Sequence, residues 1–297
     1  GDRPMTLFRA ALILVALALP ARAEIAIQEV TSPGGIKAWL VEDHNIPFTA
    51  LEIRFQGGQS LDAPGKRGAV NLMTALIEEG ADQMDAQAFA AARDDLAAQL
   101  GFGSDVDGIS VSAQFLTENR DASVALLRAA LVNPRFDADA VERVRGQVLA
   151  NLRASEQDPG EIGSKLLIAR SFGDHPYGSP GDGTIESVTA LTRDDIVAAW
   201  KGSLARARVY VAAAGDITAE ELGRVIDQVL GDLPATGTPR PGRATLNDAG
   251  GVAVVPYPGP QSLVLFQQGG IRFDDPDYFA AVLLNEILGG GRFSARL

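Results

Sequence analysis

The sequence contains two histidines, His44 and His175, and no cysteine. Those two facts close most routes to chemistry. Without cysteine there is no disulfide framework, no thiolate zinc site and no cysteine nucleophile. A serine hydrolase would have to use one of the two histidines. Both lie near prolines in turn or loop sequence, and no G-x-S-x-G elbow is present. Both histidines are therefore expected to be structural. Asp105-Val106-Asp107-Gly108 has the central spacing of a calcium loop, but the flanking acidic positions hold Gly103 and Gln114. A hairpin turn explains it better. Gly289-Gly290-Gly291 follow an apolar helical stretch instead of opening one, so they lack the free N–H groups that cradle phosphate. The doublets Glu78-Glu79, Asp94-Asp95, Asp194-Asp195 and Asp274-Asp275 read as caps and solvated faces.

The elements that must position any site come next. The chain has 297 residues, 46% hydrophobic and 22% charged, which are ordinary globular values and suffice for one large or two medium domains. A net charge of −12 argues against nucleic acid as partner. The N-terminus has the form of a secretory signal peptide over residues 1–23. Met5 is the expected start, Arg9 supplies the basic segment, Ala10–Pro20 is the apolar run and Ala21-Arg22-Ala23 fits the cleavage site. The run is too short to span a bilayer comfortably. Cleavage would leave a chain with no membrane span, exported to the periplasm.

Strands are expected over residues 25–30, 36–42 and 47–56, with Gly57-Gly58 ending the third. Apolar residues at helical spacing (Val70, Met73, Leu76, Ile77) predict a helix over Arg67–Glu79, and a second helix covers about 85–100. Residues 102–106 and 109–116 form a hairpin, with Ile109, Val111, Ala113 and Phe115 on one face. Helices follow over about 119–132, 137–156 and 160–172, separated by Asn133-Pro134 and Asp158-Pro159. After a loop over Gly173–Gly183 come a helix capped by Thr192, a strand over Arg206–Ala214 and a helix over Thr218–Leu230. Pro234–Gly242 reads as a linker. Beyond it, QGGIRFDDPDYFAAVLLNEILGGG (Gln268–Gly291) repeats the order of QGGQSLDAPGKRGAVNLMTALIEEG (Gln56–Gly80): strand, paired glycines, acidic-proline turn, apolar helix, glycine. The repeat predicts two tandem domains of one fold: residues 24–233, and residues 243–297 as the start of a second that extends past Leu297.

This layout resembles the M16 (pitrilysin/insulinase-like) zinc peptidases, in their short separate-chain class. Gly65–Ala75 (GKRGAVNLMTA) is similar to the G-x-x-G-x-x-H-x-x-E-H helix of that family. Ala138–Pro159 resembles its long helix with an acidic-proline end. His175-Pro176-Tyr177-Gly178 with Gly183-Thr184 resembles its H-P-Y-G…G-T loop. Val209–Asp216 resembles the strand entering its Gly-Asp turn, and Leu288–Leu297 the opening of its second-domain glycine loop. The resemblance implies an α+β fold, each domain a mostly antiparallel sheet with helices on one face.

The departures matter most. In active members two histidines at i and i+4 hold Zn²⁺, a glutamate between them activates water, and a glutamate on the long helix is the third ligand. Here those positions are Asn71, Ala75, Thr74 and Asn151. The resemblance therefore implies no zinc and no catalytic residue in this chain. It implies a non-catalytic subunit beside an active partner that bears H-x-x-E-H and the zinc, the two enclosing an unfolded peptide. Gly289, Gly290 and Gly291 would touch that peptide, and an Arg…Tyr pair is expected past Leu297. Three other readings compete. A stand-alone peptide-binding or holdase-like homodimer predicts peptide binding without a partner. A hydrolase with unconventional ligands predicts stoichiometric metal. A purely structural role predicts neither. The edge strand near Phe102–Val106 offers a place for an extended peptide to add by β-pairing.

Overall fold

A computed structural model describes residues 26–290, so the expected signal peptide over residues 1–23, and Gly291 with the residues after it, lie outside the described residues. The chain is α+β. Alternation of buried and exposed residues builds the strands, and the longest two show it most clearly. In β3 (Phe48–Gln56), Thr49, Leu51, Ile53 and Phe55 are buried, and in β7 (Gly108–Leu116), Ile109, Val111, Ala113 and Phe115 are buried. They pair antiparallel along their whole length, Phe48 opposite Leu116 and Gln56 opposite Gly108. The hairpin partner of β7 is β6 (Gln99–Ser104), an edge strand. On the other side lie β1 (Gln28–Thr31) and β2 (Lys37–Glu42), joined by a turn in which Gly35 takes φ +87°. The short ribbon of β4 (Gly80–Ala81) and β5 (Met84–Asp85) stands apart.

The strand β8 (Val209–Gly215) decides the topology. It enters the sheet between β2, to which it is parallel, and β3, to which it is antiparallel, giving the order β1-β2-β8-β3-β7-β6. Residues nearly 200 positions apart therefore share one sheet, whose inward face packs against helices in a single core. Those helices are α1 (Ala69–Ala75), α2 (Ala86–Asp95), α3 (Arg120–Val132), α4 (Ala138–Ser155), α5 (Pro159–Phe172), α6 (Ile185–Ala190), α7 (Arg193–Ser203) and α8 (Ala219–Leu230). In α8 the buried Leu222, Val225, Ile226, Val229 and Leu230 form one stripe, and Thr218 and Glu221 make a capping box at its start. Each fully buried residue of this kind contributes about 1.5–3 kcal/mol. The outward face of the sheet is open and carries Trp39 stacked on Tyr210, ring centres 6.1 Å apart.

Three expectations are corrected. The helix expected over Arg67–Glu79 is shorter, because after Ala75 the hydrogen bonds tighten to i−3 (Leu76 N–H to Met73 O at 3.0 Å) and Gly80 turns the chain at φ +120°. The helix expected to reach residue 100 stops at Asp95. Ala97 takes φ +50° and the chain becomes β6. In the repeat, the helix after the second acidic-proline turn forms as α9 (Tyr278–Gly289), but residues 243–277 make no strand. A strand draws its hydrogen bonds from a neighbour, and here none pairs with this segment. Its Val252, Val254 and Phe266 are exposed. The repeat thus matches helix for helix, not strand for strand.

Candidate functional site

Helix α1 carries Asn71, Thr74 and Ala75, three of the four positions that the resemblance aligns with a zinc site. It starts at Gly68, which takes φ +90° and offers no side-chain cap of its own. The cap comes from Asp62: its Oδ2 accepts from Gly68 N and its Oδ1 from Val70 N, both at 2.8 Å. The Asp62 side chain is fully buried, and burial raises its carboxyl to about 6 against the opposing pull of those N–H donors and of Arg67. Arg67 is the second half of this knot. It donates to Gln59 O, to Pro176 O at 3.0 Å and to Ser179 O at 2.9 Å. It therefore ties the start of α1 to the H-P-Y-G loop. Burial lowers the Arg67 pKa.

From this fixed start the four positions follow. Asn71 is half-buried and faces a cleft of about 520 Å³. Asn151, exposed on α4, lines the same cleft. The fold therefore brings together two residues that lie far apart in sequence. Thr74 is buried and its Oγ1 donates to Val70 O at 2.8 Å, inside its own helix. Ala75 is exposed and carries no polar atom. The cleft also holds Ser155, Glu161 and Lys165 (Nζ donating to Ser155 Oγ at 2.7 Å), none of which stood out in the sequence. Only their i, i+4 spacing on α5 hints that Glu161 and Lys165 share a face.

The remaining candidates lie elsewhere. His175 caps the turn Pro176–Gly178, its Nδ1 accepting from Tyr177 N at 3.2 Å and its Nε2 donating to Gly242 O at 2.9 Å. It joins the loop to the linker. His44 is half-exposed, with Nδ1 2.6 Å from Asp216 Oδ1, and that hydrogen bond raises its pKa. Asp216 sits between His44 and Thr117, whose Oγ1 donates to it at 2.6 Å. The hydroxyl thus meets the carboxylate, not the imidazole, which is the wrong order for nucleophilic catalysis. Both histidines act as structural links. The Asp105–Gly108 turn joins β6 to β7, as a hairpin should. Gly289 ends α9 and Gly290 follows it, far along the chain from the Asn71 cleft residues.

Residues 37–184 match the family described as insulinase (peptidase family M16), and residues 190–297 match the peptidase M16 inactive domain. The chain belongs to the M16 family. It is similar to a non-peptidase homolog of Helicobacter pylori, 25% identical over 193 residues, covering 65% of this chain and 45% of that protein. An uncharacterized zinc protease of Streptomyces coelicolor is 25% identical over 281 residues, covering 91% of this chain and 60% of its own. The chain thus spans about half of these two relatives. The crystal structure of a peptidase M16 inactive domain from Pseudomonas fluorescens superposes with TM-score 0.76 at 28% identity, covering 91% of this chain and 66% of that one. The M16 inactive-domain match begins at residue 190, ahead of β8, whose place is in the centre of the first sheet.

The resemblance aligns Asn71, Ala75 and Asn151 with zinc-ligand positions, and these side chains do not fit the metal. Neutral amide oxygens are poor zinc ligands, alanine supplies none, and Thr74 has turned its hydroxyl into the helix. Among the described residues no group of three or more His, Asp or Glu side chains converges to hold a metal. What the cleft offers instead is hydrogen bonding, since each carboxamide both donates and accepts. Among the described residues no helix is long and apolar enough to cross a membrane.

Proposed function

We propose that this chain is the non-catalytic subunit of a periplasmic M16 zinc peptidase, forming part of the wall of a peptide chamber with an active partner bearing H-x-x-E-H and the zinc. One observation carries the reading. Helix α1 is capped by Asp62 and α4 lies alongside the same cleft, while the positions that the resemblance aligns with the zinc site hold Asn71, Thr74, Ala75 and Asn151, which bind zinc poorly or not at all and supply no base. A frame kept without its chemistry suits a binding role. Export rests on the leader-like residues 5–23. Gly289–Gly291 are the segment proposed to meet the peptide.

The test is reconstitution. The mature chain is co-purified from its own periplasm, and co-purifying proteins are identified by mass spectrometry. Peptide cleavage is then measured for each chain alone and for the mixture. The expected result is a stoichiometric M16 partner with intact H-x-x-E-H, and strong cleavage only in the mixture. Chelator-sensitive cleavage by this chain alone would overturn the reading, and so would a partner fully active without it. Recovery as a homodimer carrying peptides would favour the holdase instead.

A further inference from the structure

A second cleft, of about 930 Å³, opens where the end of β3 and the β6–β7 turn meet the linker. Three arginines line it: Arg54, Arg240 and Arg243. Arg54 is held in place, Nη1 donating to Ser110 Oγ at 2.6 Å and Nη2 to Asp105 Oδ2 at 2.5 Å. It lies so close over β7 that a Cβ at Gly108 would come within 2.6 Å of its guanidinium carbon. The other two arginines flank the end of the linker in Pro239-Arg240-Pro241-Gly242-Arg243, where the prolines restrict the backbone and His175 anchors the Gly242 carbonyl. Neither lies within 4 Å of a carboxylate oxygen among the described residues, and the anion that feels Arg243, Asp274, already holds Arg272 at 2.7 Å. The carboxylate in the cleft, Asp107, is already engaged by the Tyr177 hydroxyl, whose pKa is pushed up to about 12 by burial and by that carboxylate. A further cation stands near: burial and then Arg240 lower the pKa of Arg208. Arg54 is neutralised by Asp105, whereas Arg240 and Arg243 keep charge free to attract an anion, in a chain whose overall charge is −12.

We infer that this cleft is a carboxylate-binding subsite that takes Asp or Glu side chains of a bound acidic peptide segment, with Arg240 and Arg243 as the forks that grip them. Guanidinium is the side chain best shaped for paired hydrogen bonds to a carboxylate. That a peptide carries the carboxylates rests on the chamber reading. The cation cluster does not.

The purified chain is titrated by fluorescence anisotropy into a short, fluorescein-labelled, C-terminally amidated peptide rich in glutamate, and into its glutamine counterpart. The wild type is expected to favour the glutamate peptide by about tenfold or more. Arg240→Ala/Arg243→Ala should remove that preference while leaving the glutamine peptide unchanged. Arg240→Lys/Arg243→Lys should restore part of it. Circular dichroism and thermal melting confirm that these exposed changes leave the fold intact. Equal binding of the two peptides by the wild type overturns this inference alone, as does a double-alanine variant that keeps the preference. Binding of neither peptide overturns this inference and counts against peptide capture by the chain itself.

Discussion

Asp62→Ala tests the frame on which the site is built. The substitution leaves Gly68 N and Val70 N, both bonded at 2.8 Å, without their acceptor. A stranded buried donor costs about 1–3 kcal/mol, so two cost about 2–6 kcal/mol. Arg67 loses its carboxylate but keeps the carbonyls of Gln59, Pro176 and Ser179, so its charge adds little more. At about 2–4 °C per kcal/mol for a domain of this size, the melting temperature should fall by about 4–24 °C. The pH dependence is the sharper part. The folded carboxyl, raised by burial to about 6, lies above its unfolded value of about 3.9. The folded protein therefore binds this proton more tightly, and the group adds stability as pH falls from about 6 to about 4, up to about 3 kcal/mol. The variant lacks the group, so its deficit should widen on acidification over that window. Urea unfolding of both proteins at pH 7.5 and pH 4.5 measures this. A deficit below about 1 kcal/mol at pH 7.5 would refute the capping argument. A deficit that narrows on acidification would refute the burial argument, since it would mean a depressed carboxyl. Asp62→Asn keeps an acceptor oxygen and should fall between at neutral pH.

Three further outcomes follow from the same geometry. Asn71→His/Ala75→His/Asn151→Glu should take up about one equivalent of zinc by metal analysis after dialysis, where the wild type takes none; no uptake would mean that α1 and α4 do not present ligands to one point. Leu72→Ala, at a fully buried residue between the degenerate positions, should cost about 2–5 kcal/mol in urea unfolding, and a loss under about 1 kcal/mol would show that α1 does not pack into the core. The His44 imidazole should titrate by NMR above the ordinary histidine range because Asp216 holds its protonated form, and Asp216→Asn should return it toward that range. Its stabilising contribution is present below about pH 6.5 and fades as pH rises through the raised pKa.

Much of the frame was legible in the chain. The alternation Ile109, Val111, Ala113, Phe115 is a local signal, and the strand it predicts begins and ends within a residue of β7. The stops at Asn133-Pro134 and Asp158-Pro159 act through backbone sterics, and they separate α3, α4 and α5 where the sequence places the breaks. Local signals failed where tertiary demands took over. Apolar spacing at Leu76 and Ile77 looks helical, yet these residues are buried from a tight turn that Gly80 ends. Helix α6 has no sequence signal beyond the capping box of Thr184 and Ser187, because six residues carry little periodicity.

The site divides along the same line. The residue types at Asn71, Thr74, Ala75 and Asn151 are facts of the sequence, and none of them is a histidine or a carboxylate. That depends only on which atoms each side chain owns. The fold decided which atoms meet. It set Asn71 and Asn151 on one cleft, sealed Asp62 beneath α1, laid β8 between β2 and β3, and drew Arg240 and Arg243 to the side of Arg54. Those meetings join residues many positions apart, through burial and hydrogen bonds that no short window of sequence contains.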